Sequence, residues 1–231
     1  MNWYAFMGIA STFALVLPAV LIIYFKLYTN RSLLALLVYY LLGVIYNLMV
    51  QDFIPASREV QRITGAINNY LDTPLMLFFL MFFCAEKWIA TAMRNSLWVF
   101  VAYELLIIAL YGFSLTANIF ALGPGILIVL LFTVILFTRH IRISIVQGKG
   151  IGKTLMLASV VFTYGCFSII YLFHYIQRMA AINDVLLLYH ITILVASLLM
   201  TAGVVLINKH LKTFYELKQT RRELQLFFGS K

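Results

Sequence analysis

Seven apolar runs, each near the length of a bilayer crossing, decide what this chain can become. A helix needs about 20 consecutive apolar residues to span the hydrocarbon core. Charged or polar punctuation separates such runs at roughly 4–25, 33–54, 63–85, 97–118, 122–138, 154–177 and 185–207. Of the 231 residues, 64% are hydrophobic and 11% charged, where a soluble domain has about 45–50% and about 25%. There is too little polar surface to cover a water-soluble globule. The expectation is an all-α polytopic membrane protein: a bundle of seven transmembrane helices over 1–208 and a basic tail over 209–231. The stretch "MNWYAFMGIA" lacks a basic n-region and leads straight into a span, so it reads as an uncleaved first helix. Cys84 and Cys166 lie within apolar runs and read as buried thiols rather than a disulfide.

The basic residues give a direction. Fourteen of the seventeen lysines and arginines fall in the first, third and fifth loops and the C-terminal tail. Arg58, Arg62 and Arg178 alone lie on the other side. By the positive-inside rule the N-terminus is outside and the C-terminus cytoplasmic, in a plasma membrane or bacterial inner membrane. The net charge of +9 then reflects topology and affinity for anionic lipid, with no nucleic-acid partner implied. "GPG" at 123–125 suits a turn opening the fifth helix.

Local motifs exclude several chemistries. "GKGIGKT" at 148–154 lacks the first glycine of a phosphate-binding loop, since Gln147 stands there, and no strand precedes it. "NRS" at 30–32 matches a glycosylation acceptor but falls on the cytoplasmic side. No His-Glu-x-x-His, nucleophile elbow or Cys-x-x-Cys occurs.

Polar residues inside the spans carry more information. An ionisable group at the centre of a span costs about 2.5–3.5 kcal/mol on insertion scales and usually faces the bundle interior. In the third helix Gly65, Asn68, Asn69 and Asp72 follow i, i+3, i+4, i+7 and share one face. Below them runs the apolar "LMLFFLMFF". The second helix has Asn47 and Gln51 near its outer end, the sixth Tyr171 and His174, the seventh His190. At about 1.5 Å rise per residue both histidines lie roughly 6–9 Å below the outer edge, and Asp72 about 15 Å. The pattern predicts an outward-facing polar pocket lined by Asn47, Gln51, Asn68, Asn69, Asp72, Tyr171, His174 and His190. Asp72 forms its floor, and the apolar run plugs the way inward.

Seven helices, an outside N-terminus and the patch Tyr70, Asp72, Thr73, Pro74, Leu75 resemble the microbial rhodopsins. Matching Pro74 to the proline of that family sets Asp72 at a threonine position, Asn68 at the proton-accepting carboxylate and Gly65 at an arginine. The family holds retinal through a lysine in the seventh helix. "YHITILVASLLMTAGVVLIN" has none, and Met200 is the equivalent position. A covalent retinal is therefore not expected. The resemblance implies the architecture with a different task.

Three functions fit these residues. In a receptor or sensor, the pocket takes a small molecule and a separate cytoplasmic effector reads the change. The tail bears Phe214, Leu217, Leu224 and Phe228 among Lys212, Lys218, Arg221 and Arg222, an amphipathic pattern suited to anionic membrane or a partner helix. In a membrane enzyme, Asp72, His174 and His190 gather around zinc, iron or haem. In a transporter of protons or small solutes, Asp72 and Glu104 form the path. The receptor reading is the primary one, and no sequence motif identifies a cofactor.

Overall fold

In the computed structural model the backbone is described for residues 3–148, 150–177 and 182–228, and side chains within these except at 4–5, 115, 147, 182–183 and 210–228. The helices are α1 (Trp3–Tyr24), α2 (Arg31–Val50), α3 (Arg58–Leu80), α4 (Lys87–Tyr111), α5 (Leu115–Gln147), α6 (Ile151–Ile170) and α7 (Ile182–Phe228). No strand occurs among the described residues. Each of the seven is long and apolar enough to cross a membrane. Helices adjacent in sequence pack together, α7 returns to α1 to close the bundle, and α3 also reaches α5.

The boundaries follow from local chemistry. Lys26 adopts the left-handed conformation after α1, with φ 55°. Asn30 then caps α2, its side chain accepting from the Ser32 N–H at 3.0 Å. The glycosylation-like asparagine is thus a helix cap. The α2 helix stops at Val50 rather than 54 because Asp52 turns left-handed, with φ 58°, a conformation aspartate tolerates better than most residues. Ser57 caps α3 through the Val60 N–H, and Glu59 in the first turn complements the helix dipole.

The fourth and fifth spans differ most from expectation. The turn between them is Gly112-Phe113-Ser114, not the predicted 119–121. Gly112 ends α4 at φ 63°, and Ser114 caps α5 by accepting from the Ala117 N–H at 3.1 Å. Lys87 and Arg94 extend α4 toward its start, because long basic side chains lie easily at an interface. "GPG" consequently sits inside α5 instead of opening it. Pro124 has no N–H for the Phe120 carbonyl, and Tyr103 of α4 supplies the donor, its hydroxyl 3.0 Å from that oxygen. The two flanking glycines make room for neighbours. A Cβ at Gly123 would stand 2.5 Å from the Tyr171 hydroxyl, and one at Gly125 2.3 Å from Thr73 Oγ1.

The bundle has two unlike halves. Toward the C-terminal ends of α3, α5 and α7, Leu36, Leu77, Phe79, Leu80, Met156 and Val204 are essentially inaccessible and form a dry core. There α6 and α7 pack closely, since a Cβ at Gly203 would lie 2.9 Å from the Gly152 carbonyl oxygen. At this end Glu86 pairs with Arg139 and Trp88, and the guanidinium holds the Glu86 carboxyl below its ordinary range. The helices α5 and α7, at about 1.5 Å per residue, are roughly 50 and 70 Å long and exceed a ~30 Å hydrocarbon core. Residues 210–228 continue α7 as one helix. The apolar stripe of the tail involves side chains outside the described residues.

Candidate functional site

At the other end of the bundle, where α2 stops and α3 starts, the helices part around a cavity of about 320 Å³. Each wall is a helical stripe. On α2, Tyr39, Gly43, Tyr46, Asn47 and Val50 follow i, i+4, i+7, i+8, i+11. On α3, Asn68, Asn69 and Asp72 line it; on α7, Val185, Leu186, Tyr189, His190 and Ile193. Phe167, Ile170, Tyr171 and Tyr175 come from the end of α6 and the turn after it. Gly43 leaves open space, since nothing lies within 4 Å of a Cβ built there.

Asp72 is held by one bond. The Tyr164 hydroxyl donates to its Oδ2 at 2.7 Å, and no other described side chain hydrogen-bonds the carboxylate. Tyr164 is wholly buried, so its hydroxyl is committed to this contact. Asn47 donates to the Gly43 carbonyl at 2.9 Å and, at the limit of bonding distance, to the Tyr189 hydroxyl at 3.5 Å. The amides of Asn68 and Asn69 have no protein partner among the described residues and face the cavity. His190 Nδ1 lies 2.9 Å from Ser11 Oγ, while the Ser11 hydroxyl reaches the Gly8 carbonyl at 2.9 Å. A serine has one hydroxyl proton. With that proton on Gly8, His190 must carry its own on Nδ1, which leaves Nε2 an acceptor.

Six of the eight sequence-predicted residues line the cavity together: Asn47, Asn68, Asn69, Asp72, Tyr171 and His190. Gln51 does not. Its amide lies on Gly8 of α1, where an added Cβ would meet Nε2 at 2.3 Å. His174 is the other exception. Residues Tyr171–Ile176 form a π-helical turn, with the Gln177 N–H bonded to the Leu172 carbonyl at 2.9 Å, five residues back. The wider turn changes the register after Tyr171. Tyr175 then lines the cavity, while His174 packs edge-on against the Tyr175 ring at 4.8 Å.

The proposed metal set Asp72, His174 and His190 is therefore not assembled. Among the described residues no three His, Cys, Asp or Glu side chains come together as metal ligands. Asp72 and His190 are engaged by Tyr164 and Ser11, and the register change removes His174.

Sequence reasoning missed the aromatic wall: Tyr39, Tyr46, Tyr175, Tyr189 and Phe167. The stripe on α2 and the spacing of Tyr189 from Ile193 were a legible signal. It was obscured by the many other aromatic residues, some buried in the core, such as Phe79 and Phe83, and some on the outside of the bundle, such as Trp98 and Phe120. Beneath Asp72 a second chamber of about 10 Å³ lies among Tyr40, Ser159, Thr163, Ser197 and Met200. The inner half is thus dry along α3 yet carries hydroxyls on α2, α6 and α7 one layer below the floor.

Further buried polar atoms lie on α3, α4 and α5. Glu104 is 6% exposed, and its Oε1, the Tyr70 hydroxyl and Asn118 Oδ1 have no hydrogen-bond partner among the described residues. Compared with protein-family models, curated proteins and solved structures, the chain matches none.

Proposed function

We propose that this chain is an integral membrane receptor or sensor whose cavity, facing outside the cell, takes a small molecule. The observation carrying this reading is the cavity itself. Its volume of about 320 Å³ falls at the small end of ligand sites, which run to about 300–1,000 Å³. Its walls combine aromatic rings with unpartnered amides and a single carboxylate, a composition suited to orienting a small molecule. The bias of basic residues toward the opposite end supports the outward direction. The packed layer of Leu77, Leu80, Met156 and Val204 favours binding over a continuous solute path. In the rhodopsin-like architecture of this proposal Met200 replaces the lysine, so the ligand is held without a covalent bond. Output passes to a separate cytoplasmic protein.

Gly43→Leu tests this. The side chain enters open space, so the variant should fold, with helix propensity improved by up to about 1 kcal/mol. It should also fill the cavity and abolish ligand-induced thermal stabilisation of the purified protein. Solute uptake into proteoliposomes by the wild type would replace the receptor reading with a transporter.

A further inference from the structure

Resting on the cavity being a ligand site, the charge and chemistry of its walls narrow what it takes. The described lining residues include one carboxylate, Asp72, and no lysine or arginine. Among the described residues the only hydrogen bond to that carboxylate comes from a neutral hydroxyl, Tyr164, on Oδ2. Oδ1 has no partner among the described residues. A carboxylate within a span normally finds a cationic partner or a hydrated path. Among the described residues no basic side chain and no second donor bonds it; His190 shares the lining, but its Nδ1 lies against Ser11 Oγ.

The surrounding walls suit a positive charge. Tyr39, Tyr46, Tyr171, Tyr175 and Tyr189 all border the cavity, with Phe167 stacked on Tyr189 at 6.0 Å and 10° between planes. The Tyr171 hydroxyl is committed to the Ile119 carbonyl at 3.1 Å, and that of Tyr189 meets Asn47. The Tyr171 proton is thus spent, while Tyr189 keeps its own; both residues also offer the faces of their rings. Aromatic faces attract ammonium groups, and cages of them recognise quaternary ammonium ligands. Asn68 and Asn69 add amide oxygens, acceptors for an N–H donor. An anionic ligand would meet Asp72 with no lysine or arginine among the described lining residues to compensate it.

We propose that the ligand is a small organic cation, its ammonium group seated at Asp72 and its apolar part against the tyrosine wall.

The test uses full-length protein in lipid nanodiscs and measures the shift in unfolding temperature with matched pairs of probes. Choline is paired with 3,3-dimethyl-1-butanol, and phenethylamine with propylbenzene. Binding to the folded state raises the midpoint in proportion to the logarithm of ligand over Kd. The expected result is that the cation of at least one pair binds about tenfold or more tightly than its neutral partner. Asp72→Asn, which keeps the shape and the Tyr164 contact, should erase that difference. Asn68→Lys, which brings its own ammonium into the cavity, should weaken the cation by a similar factor. Neutral partners binding as well as the cations in both pairs, with Gly43→Leu removing both, would overturn the cationic ligand and leave the cavity a ligand site. An unchanged cation preference in folded Asp72→Asn and Asn68→Lys would also overturn it. No shift with any probe in folded wild type would overturn both the cation and the ligand-site reading.

Discussion

Asp72 and Glu104 each place a carboxyl inside the bundle, in different surroundings. Asp72 has a hydroxyl donor and a cavity. Glu104 has a buried oxygen with no partner among the described residues, and the Tyr70 hydroxyl is in the same condition. An unsatisfied buried polar group costs about 1–3 kcal/mol, and more when charged. Replacing it with an apolar group of similar volume is commonly stabilising. Glu104→Met should therefore raise stability by about 1–3 kcal/mol, read as a higher midpoint in thermal unfolding in detergent. A lowered midpoint would mean that Glu104 contributes a stabilising contact in the folded protein. Tyr164 fixes the Asp72 carboxylate at the cavity, whereas Glu104 bears on stability.

At the scale of elements, two helix irregularities shape the site. The π-helical turn Tyr171–Ile176 changes which residues of the sixth span reach the cavity. The proline inside α5 leaves a carbonyl that another helix satisfies. Tyr103 caps the Phe120 oxygen at 3.0 Å, and Tyr171 anchors one residue earlier, at Ile119. The α4 and α6 helices are thereby tied to one turn of α5. Interhelical hydrogen bonds in membranes average about 0.6 kcal/mol and reach about 1.7. Tyr103→Phe should cost about 1 kcal/mol because the carbonyl it leaves has no replacement donor. In a Pro124→Ala background the helix supplies its own N–H, and the same change should be nearly neutral. A double-mutant cycle in chemical denaturation measures the difference, and equal costs in both backgrounds would refute the capping role.

For the whole molecule, orientation links the cavity to its surroundings. Single cysteines at Ser57 and Gln147 should label from opposite sides of intact cells with a membrane-impermeant maleimide, Ser57 from outside. Labelling of Gln147 from outside would reverse the cavity's direction. The seven spans and a polar face on α3 were legible in the sequence because insertion energies act residue by residue. A run of twenty apolar side chains, or Asn68, Asn69 and Asp72 at helical spacing, has the same meaning in any packing. The caps Ser57 and Ser114 are local hydrogen bonds that the spans expected from hydropathy do not use. What the sequence could not determine is what depends on rotation and on contacts between helices. Helical spacing places Gln51 near the pocket, but the missing side chain of Gly8 drew it onto α1. Standard α-helical periodicity puts His174 on the Tyr171 face, but the π-helical turn moved it off. The pairing of Tyr164 with Asp72, 92 residues apart, and the gathering of five tyrosines exist only once the helices have set their rotations. Those rotations are chosen by packing, through close contacts such as Gly152 against Gly203, and no local rule encodes them.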